Sequence, residues 1–129
     1  MTTDEEFAAD IADTVALVAR GDIAAFAIPG QETRLDAAGA HRFGVVYAEL
    51  ARAATSHQRT VVLQWMFDPP GAAAAALRSE ANAALLLGAL EPFAVNGHLP
   101  ALVRVEFVNV GAVSAALRAR LVTIGVVCS

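Results

Sequence analysis

From Ala72 to Leu90 the chain runs without a proline or a β-branched side chain, and alanine and leucine dominate the stretch. Such a segment has strong helix propensity, and Asp68-Pro69-Pro70 just before it reads as a helix start, with Asp as N-cap and proline in the first turn. The spacing predicts a central helix over 72–90, stopped at Pro92. Leu77, Ala81, Ala84 and Leu85 with Gly88 are expected to face a sheet, and Arg78, Glu80 and Asn82 to take the other sides. So many alanines imply close backbone approach to whatever the helix packs on.

The remaining elements follow from periodicity around that helix. Thr3 and Glu6 form a capping-box pattern, and Phe7, Ile11, Val15 and Val18 then recur at helical spacing up to Arg20-Gly21. Asp22–Ile28 reads as a short strand ended by Pro29-Gly30, and residues 29–43 as a long connecting loop. Gly44–Ala53 and Thr60–Asp68 read as two strands joined through 54–58. In the second, Val61, Leu63, Trp65 and Phe67 point inward, alternating with Thr60, Gln64 and Asp68. Val62 and Met66 are apolar on the outward face, which implies that a helix or a neighbouring subunit covers it. After a turn at Asn96-Gly97, Ala101–Val110 and Ala116–Val127 read as the last two strands, linked by Gly111–Ser114. The expected fold class is α+β. One domain over 1–129 would hold a mixed or antiparallel sheet of four to five strands, built from two hairpins, with the N-terminal and central helices packed against it.

Composition narrows the function classes. With 57% hydrophobic and 17% charged residues the chain is too apolar for intrinsic disorder. A net charge of −4 leaves no broad cationic footprint for sequence-specific nucleic-acid binding. No uncharged apolar run is long enough to suggest a membrane span, and the acidic start is unlike a secretory leader, so a protein kept inside the cell or packed in a particle is expected. Charge is uneven: the first 36 residues hold eight acids against Arg20 and Arg34, a net of −6, and the rest is slightly basic. Copies stacked head to tail would meet with complementary potentials. Cys128 is the single cysteine, which excludes an internal disulfide and a cysteine-based zinc site.

Residue chemistry points away from catalysis. His41, His57 and His98 stand singly, without a second ligand at helical or strand spacing. Ser56 and Ser114 lack the Gly-x-Ser-x-Gly setting of a nucleophile elbow, and Glu49 and Asp68 could only approach across the first hairpin. No glycine-rich phosphate loop occurs, and a chain without lysine has no P-loop lysine. The expectation is therefore no enzyme, with no catalytic, cofactor-binding or metal residues. Arg104, Arg118 and Arg120 come from two strands expected to pair and present one cationic strip; with Val62 and Met66 they are the candidate subunit or partner interface. An ion pair of Arg104 with Glu106 is the plainer alternative.

In this element order, an N-terminal helix, a hairpin over Val45–Phe67 running into Asp68-Pro69-Pro70 and a helix, then a C-terminal hairpin, the chain resembles the tail terminator or tail completion proteins of long-tailed phages and gene transfer agents. The resemblance spans most of residues 4–127 as a pattern, without a fixed motif. It implies a structural virion protein of the viral tail or neck, assembled in the bacterial host cytoplasm. It also implies a homohexameric ring that caps the tail tube protein and performs head-tail joining with a connector or stopper protein, without cofactor. Two other readings stay open on the residues: a small-molecule-binding or regulatory α+β domain that dimerises through its sheet, with loop 29–43 as a lid, and a small enzyme with a loop histidine as base.

Overall fold

Alternation builds the two central strands. In β2 (Val61–Met66) and β3 (Val103–Val108) every second side chain, Val61, Leu63, Trp65 and Val103, Val105, Phe107, is buried, while those between remain partly or fully exposed. The computed structural model describes residues 4–22, 24–31, 33–69 and 73–129. Its elements run α1 (Asp4–Arg20), β1 (Ala25–Ile28), α2 (Ala37–His57), β2, α3 (Ala73–Leu90), β3, α4 (Ala115–Thr123) and β4 (Val127–Cys128). The strands form one sheet in the order β1-β2-β3-β4, and all three pairings are parallel. Each parallel step needs a crossover, and α2, α3 and α4 supply the three. Right-handed crossovers that all step the same way across a sheet leave every helix on the same face.

Burial agrees with that two-layer arrangement. Phe43, Tyr47 and Leu50 of α2 and Leu86, Leu87 and Leu90 of α3 join the inward residues of β2 and β3 in one buried cluster. At its centre the Phe43 ring meets Trp65 edge-on at 5.9 Å, and Phe67 meets Phe107 at 5.3 Å. Helix α1 lies on the same side: Ile11 and Val15 line a small apolar cavity together with Phe26, Val46 and Leu50.

The sheet corrects the expected fold class. It is α/β and all-parallel, with four helices among the described residues, not a mixed or antiparallel sheet of two hairpins. The first hairpin fails because Gly44–Ala53 is helical. Asp36 caps α2, its Oδ1 accepting from the Gly39 amide at 2.7 Å, and Ala40, Phe43, Tyr47, Leu50 and Ala54 then repeat every three or four residues on the buried side. Of the expected loop, 29–31 and 33–36 lie between β1 and α2, and 37–43 belong to the helix. The second hairpin fails because most of 116–127 is α4. Ser114 caps it through an Oγ that accepts from the Leu117 amide, and Leu117 and Leu121, four apart, are its buried residues. A 3-10 turn, Val110–Ala112, precedes it.

Helix α3 forms where expected, but with its faces exchanged. Leu77 is 76% exposed, and Ala81, Ala84 and Gly88 are exposed as well, while Ala75, Ser79, Asn82, Ala83, Leu86 and Leu90 are buried. Two polar residues therefore sit on the inward stripe, where a hydrophobicity pattern does not look for them. Helix α1 matches 4–20, with Val18 buried. The capping box at Thr3 and Glu6, the Phe7 side chain and the start at Pro70 lie outside the described residues and side chains.

Candidate interaction surface

A parallel ladder keeps in-register residues on one face, and the register assembles the outer face of this sheet. Ala25, Val62 and Arg104 form one row, Ala27, Gln64, Glu106 and Val127 the next, and Met66 with Val108 the last. Ala25, Ala27, Arg104 and Val127 are exposed, and Val62, Gln64, Met66, Glu106 and Val108 are half-buried by their neighbours in the sheet. No helix among the described residues lies over this face. The arrangement is unusual, because all-parallel sheets are almost always covered on both sides.

Its polar centre is a connected group. Gln64 donates from Nε2 to Glu106 Oε1 at 2.7 Å, and Arg104 Nε lies 2.7 Å from the other carboxylate oxygen of Glu106. Glu106 is held from two sides with its side chain 21% exposed, whereas the Arg104 side chain stays 55% exposed. Apolar Val62, Met66 and Val108 flank the group. The face thus pairs a neutral polar centre with a half-buried apolar surround.

Of the five residues expected at an interface, the structure brings Val62, Met66 and Arg104 together here. Arg118 and Arg120 are not in a strand beside β3, so the three arginines form no single strip. Both lie exposed on α4, where Arg120 pairs with Glu91 at 3.4 Å. Sequence reasoning passed over Gln64 and Val108 as members of this surface. The alternation of Val103, Val105 and Phe107 puts Val108 beside Arg104 and Glu106, but only a parallel register sets it next to Met66.

Several polar side chains elsewhere hold the fold together, while the Tyr47 hydroxyl, the Trp65 indole nitrogen and the Ser79 hydroxyl are buried without a hydrogen-bond partner among the described residues. At the carboxyl end of β2, Asp68 is buried and accepts from Arg78 Nε at 2.9 Å. Asn82, 1% exposed, reaches across to the β1–α2 loop: its Oδ1 accepts from the Leu35 amide at 3.0 Å and its Nδ2 donates to the Thr33 carbonyl at 2.6 Å. Ser114 donates its hydroxyl to Glu80 Oε1 at 2.8 Å and its amide to Oε2 at 2.6 Å, so this serine ties α4 to α3. His41 and His57 belong to α2, and His98 lies in the α3–β3 connection with Nδ1 3.1 Å from the Leu99 carbonyl oxygen. Glu49 pairs with Arg52 on α2, and the hairpin across which Glu49 could have approached Asp68 does not form. Burial pushes the Cys128 thiol up from its ordinary range, with the Arg118 guanidinium acting in the opposite sense.

The usual ligand position of an open α/β sheet is the crevice outside the strand carboxyl ends, at the point where the strand order reverses. A sheet that runs β1-β2-β3-β4 without reversal has no such point. The cavity between α1, β1 and α2 holds about 130 Å³, below the roughly 300–1,000 Å³ of small-molecule sites, whereas two open surface grooves, one bounded by Arg34, Leu35, Leu77 and Arg78 (about 430 Å³) and one by His41, Glu49, Gly88 and Phe93 (about 410 Å³), are of that size. Among the described residues no group of three or more His, Cys, Asp or Glu side chains gathers, and no helix is long and apolar enough to cross a membrane. Set beside family models, curated protein sequences and solved structures, the chain matches none.

Proposed function

We propose that the chain is a non-catalytic docking module that works through the outer face of its parallel sheet. The observation that carries this is the face itself: an all-parallel sheet covered by helices on one side and presenting Val62, Met66 and Val108 around the Gln64–Glu106–Arg104 group on the other. Two further features support a role without chemistry. The strand order offers no switch-point crevice, and the buried Asp68 and Asn82 side chains bond to Arg78 and to the β1–α2 loop of the same chain. Of the elements behind the likeness to tail terminators, the N-terminal helix and the helix after Asp68 are present and both hairpins are not, so ring assembly at a tail draws no support from the sheet.

Site-specific photo-crosslinking in the cells that make the protein tests the proposal. A benzophenone side chain at position 62 or 66 should give discrete crosslinked species, and one at the exposed helix position Val122 should give few. Crosslinks that favour position 122, or none from the sheet, would overturn it.

A further inference from the structure

Resting on the docking reading above, we infer that the partner of the open sheet face is the same face of a second copy, related by a two-fold axis lying between the two sheets. Three observations favour this occupant. First, the sheet cannot readily grow sideways. β1 has four residues and ends at Pro29, and β4 has two, so either edge offers few backbone groups to an incoming strand. Stacking face to face is the remaining route.

Second, the face is electrically self-compatible although the chain is not. The protein carries a net charge of −4, concentrated in its first 36 residues, yet the outer face holds one arginine and one glutamate. Two such faces meet without net repulsion, whereas a strongly basic or acidic partner finds no matching field there. Third, the two charges suit a symmetric contact. In an isologous interface residue i of one copy meets residue j of the other and the reverse. Arg104 and Glu106 are two apart on one strand, and stacked sheets lie about 10 Å from each other. The Arg104 side chain, 55% exposed and paired through Nε with its own Glu106, is long enough to cross that gap and share Glu106 of the facing copy, and the second copy returns the same contact. Val62, Met66 and Val108 from both copies fill the space around this centre.

Size sets the strength. The four strands project roughly 300 Å², well short of the about 800 Å² that each partner contributes to a standard interface. The dimer is therefore a weak one that forms as concentration rises. Its loss is readable by charge.

Sedimentation velocity between about 5 and 500 μM tests this, a window that brackets micromolar association. The wild-type weight-average mass should rise toward twice the chain mass. Arg104→Glu leaves a face with two negative charges and Glu106→Arg one with two positive charges, so each variant alone should associate at least ten-fold more weakly, while an equimolar mixture should regain wild-type association. Ala27→Glu, at an exposed position in the row of Glu106, gives a second charge perturbation that breaks no hydrogen bond. It should also weaken the dimer. Circular dichroism of each variant confirms folding. Wild type monomeric at 500 μM, variants that dimerise undiminished, or a mixture that does not recover would overturn the inference. A monomer whose position 62 crosslinks to a different protein removes the second copy and leaves the docking module standing; a dimer indifferent to all the variants, with no crosslinks from the sheet, removes both.

Discussion

Replacing Asn82 by alanine should unfasten the β1–α2 loop from α3, and the structure sets the size of the effect. Two hydrogen bonds are lost, from the Leu35 amide to Oδ1 and from Nδ2 to the Thr33 carbonyl. Each contributes a net of about 0.5–1.5 kcal/mol, and an amide left buried without a partner adds about 1–3 kcal/mol. Thr33 is exposed, so water takes over its carbonyl and that loss stays near the bare hydrogen-bond value. Leu35 is half-buried, so its amide carries part of the larger penalty. The total is about 2–3 kcal/mol, a large share of the stability of an ordinary domain. With a urea slope of about 1–3 kcal/mol per M, the unfolding midpoint should fall by about 0.7–3 M. Asn82→Asp keeps the acceptor for Leu35 but sets a carboxylate oxygen against the Thr33 carbonyl. It should lose more than alanine at neutral pH and less as the carboxyl protonates. Native-state hydrogen exchange at Leu35 should accelerate in Asn82→Ala in step with the equilibrium loss. A midpoint shift under about 0.3 M, with Leu35 exchange unchanged, would refute the pinning role.

Other expectations follow from single positions. A Cβ at Gly30 would stand 2.5 Å from Cζ2 and Nε1 of the buried Trp65 indole, which Phe43 and Phe67 hold in place, so Gly30→Ala should cost about 1–3 kcal/mol in urea unfolding and quench or shift Trp65 fluorescence. The Tyr47 hydroxyl is buried without a hydrogen-bond partner among the described residues, so Tyr47→Phe should be neutral or stabilising, within about 1 kcal/mol at pH 7. Burial raises the Tyr47 pKa above its ordinary 10.0, which means the folded state holds the phenolic proton more tightly than the unfolded state. The resulting stability is fully present below pH 10 and is lost as pH rises through the folded value, so wild type should weaken more steeply than Tyr47→Phe in alkaline urea titrations. Gln58 ends α2 in the left-handed region at φ 52°, where a side chain costs roughly 1–2 kcal/mol; Gln58→Gly should raise the urea midpoint, and a lowered midpoint would contradict the cap geometry.

Part of this architecture was legible in the residues and part was not. The alternation through Val61, Leu63, Trp65 and Phe67 marked β2 and its inward face, and the proline-free run to Leu90 marked α3. That Val62 and Met66 face outward followed from the same alternation. α2 was harder to see because Gly39 and Gly44 interrupt it, and the β-branched pair Val45-Val46 with Tyr47 resembles a short buried strand. The helical spacing Phe43, Tyr47, Leu50 and Ala54 was there but competed with that local signal. In α4, Leu117 and Leu121 fit a two-residue and a four-residue repeat equally, because the intervening Ala119 is indifferent to burial. Reading these two helices as strands turned two βα crossovers into hairpins, so an all-parallel sheet became an antiparallel one. The inward side of α3 stayed hidden for a different reason: Ser79 and Asn82 occupy it, and the Asn82 partners lie in a loop almost fifty residues earlier.

Hydroxyl-radical footprinting of Met66 at about 5 and 500 μM protein, concentrations that bracket micromolar association, puts the open sheet face to the most direct test. Met66 is half-buried on that face, and Leu77, 76% exposed on α3, serves as the reference on the helical side. If the face closes on a second copy, Met66 oxidation relative to Leu77 falls as concentration rises, and Arg104→Glu abolishes the fall. A Met66 rate that stays constant over that range, or protection that appears at Leu77 instead, contradicts the account.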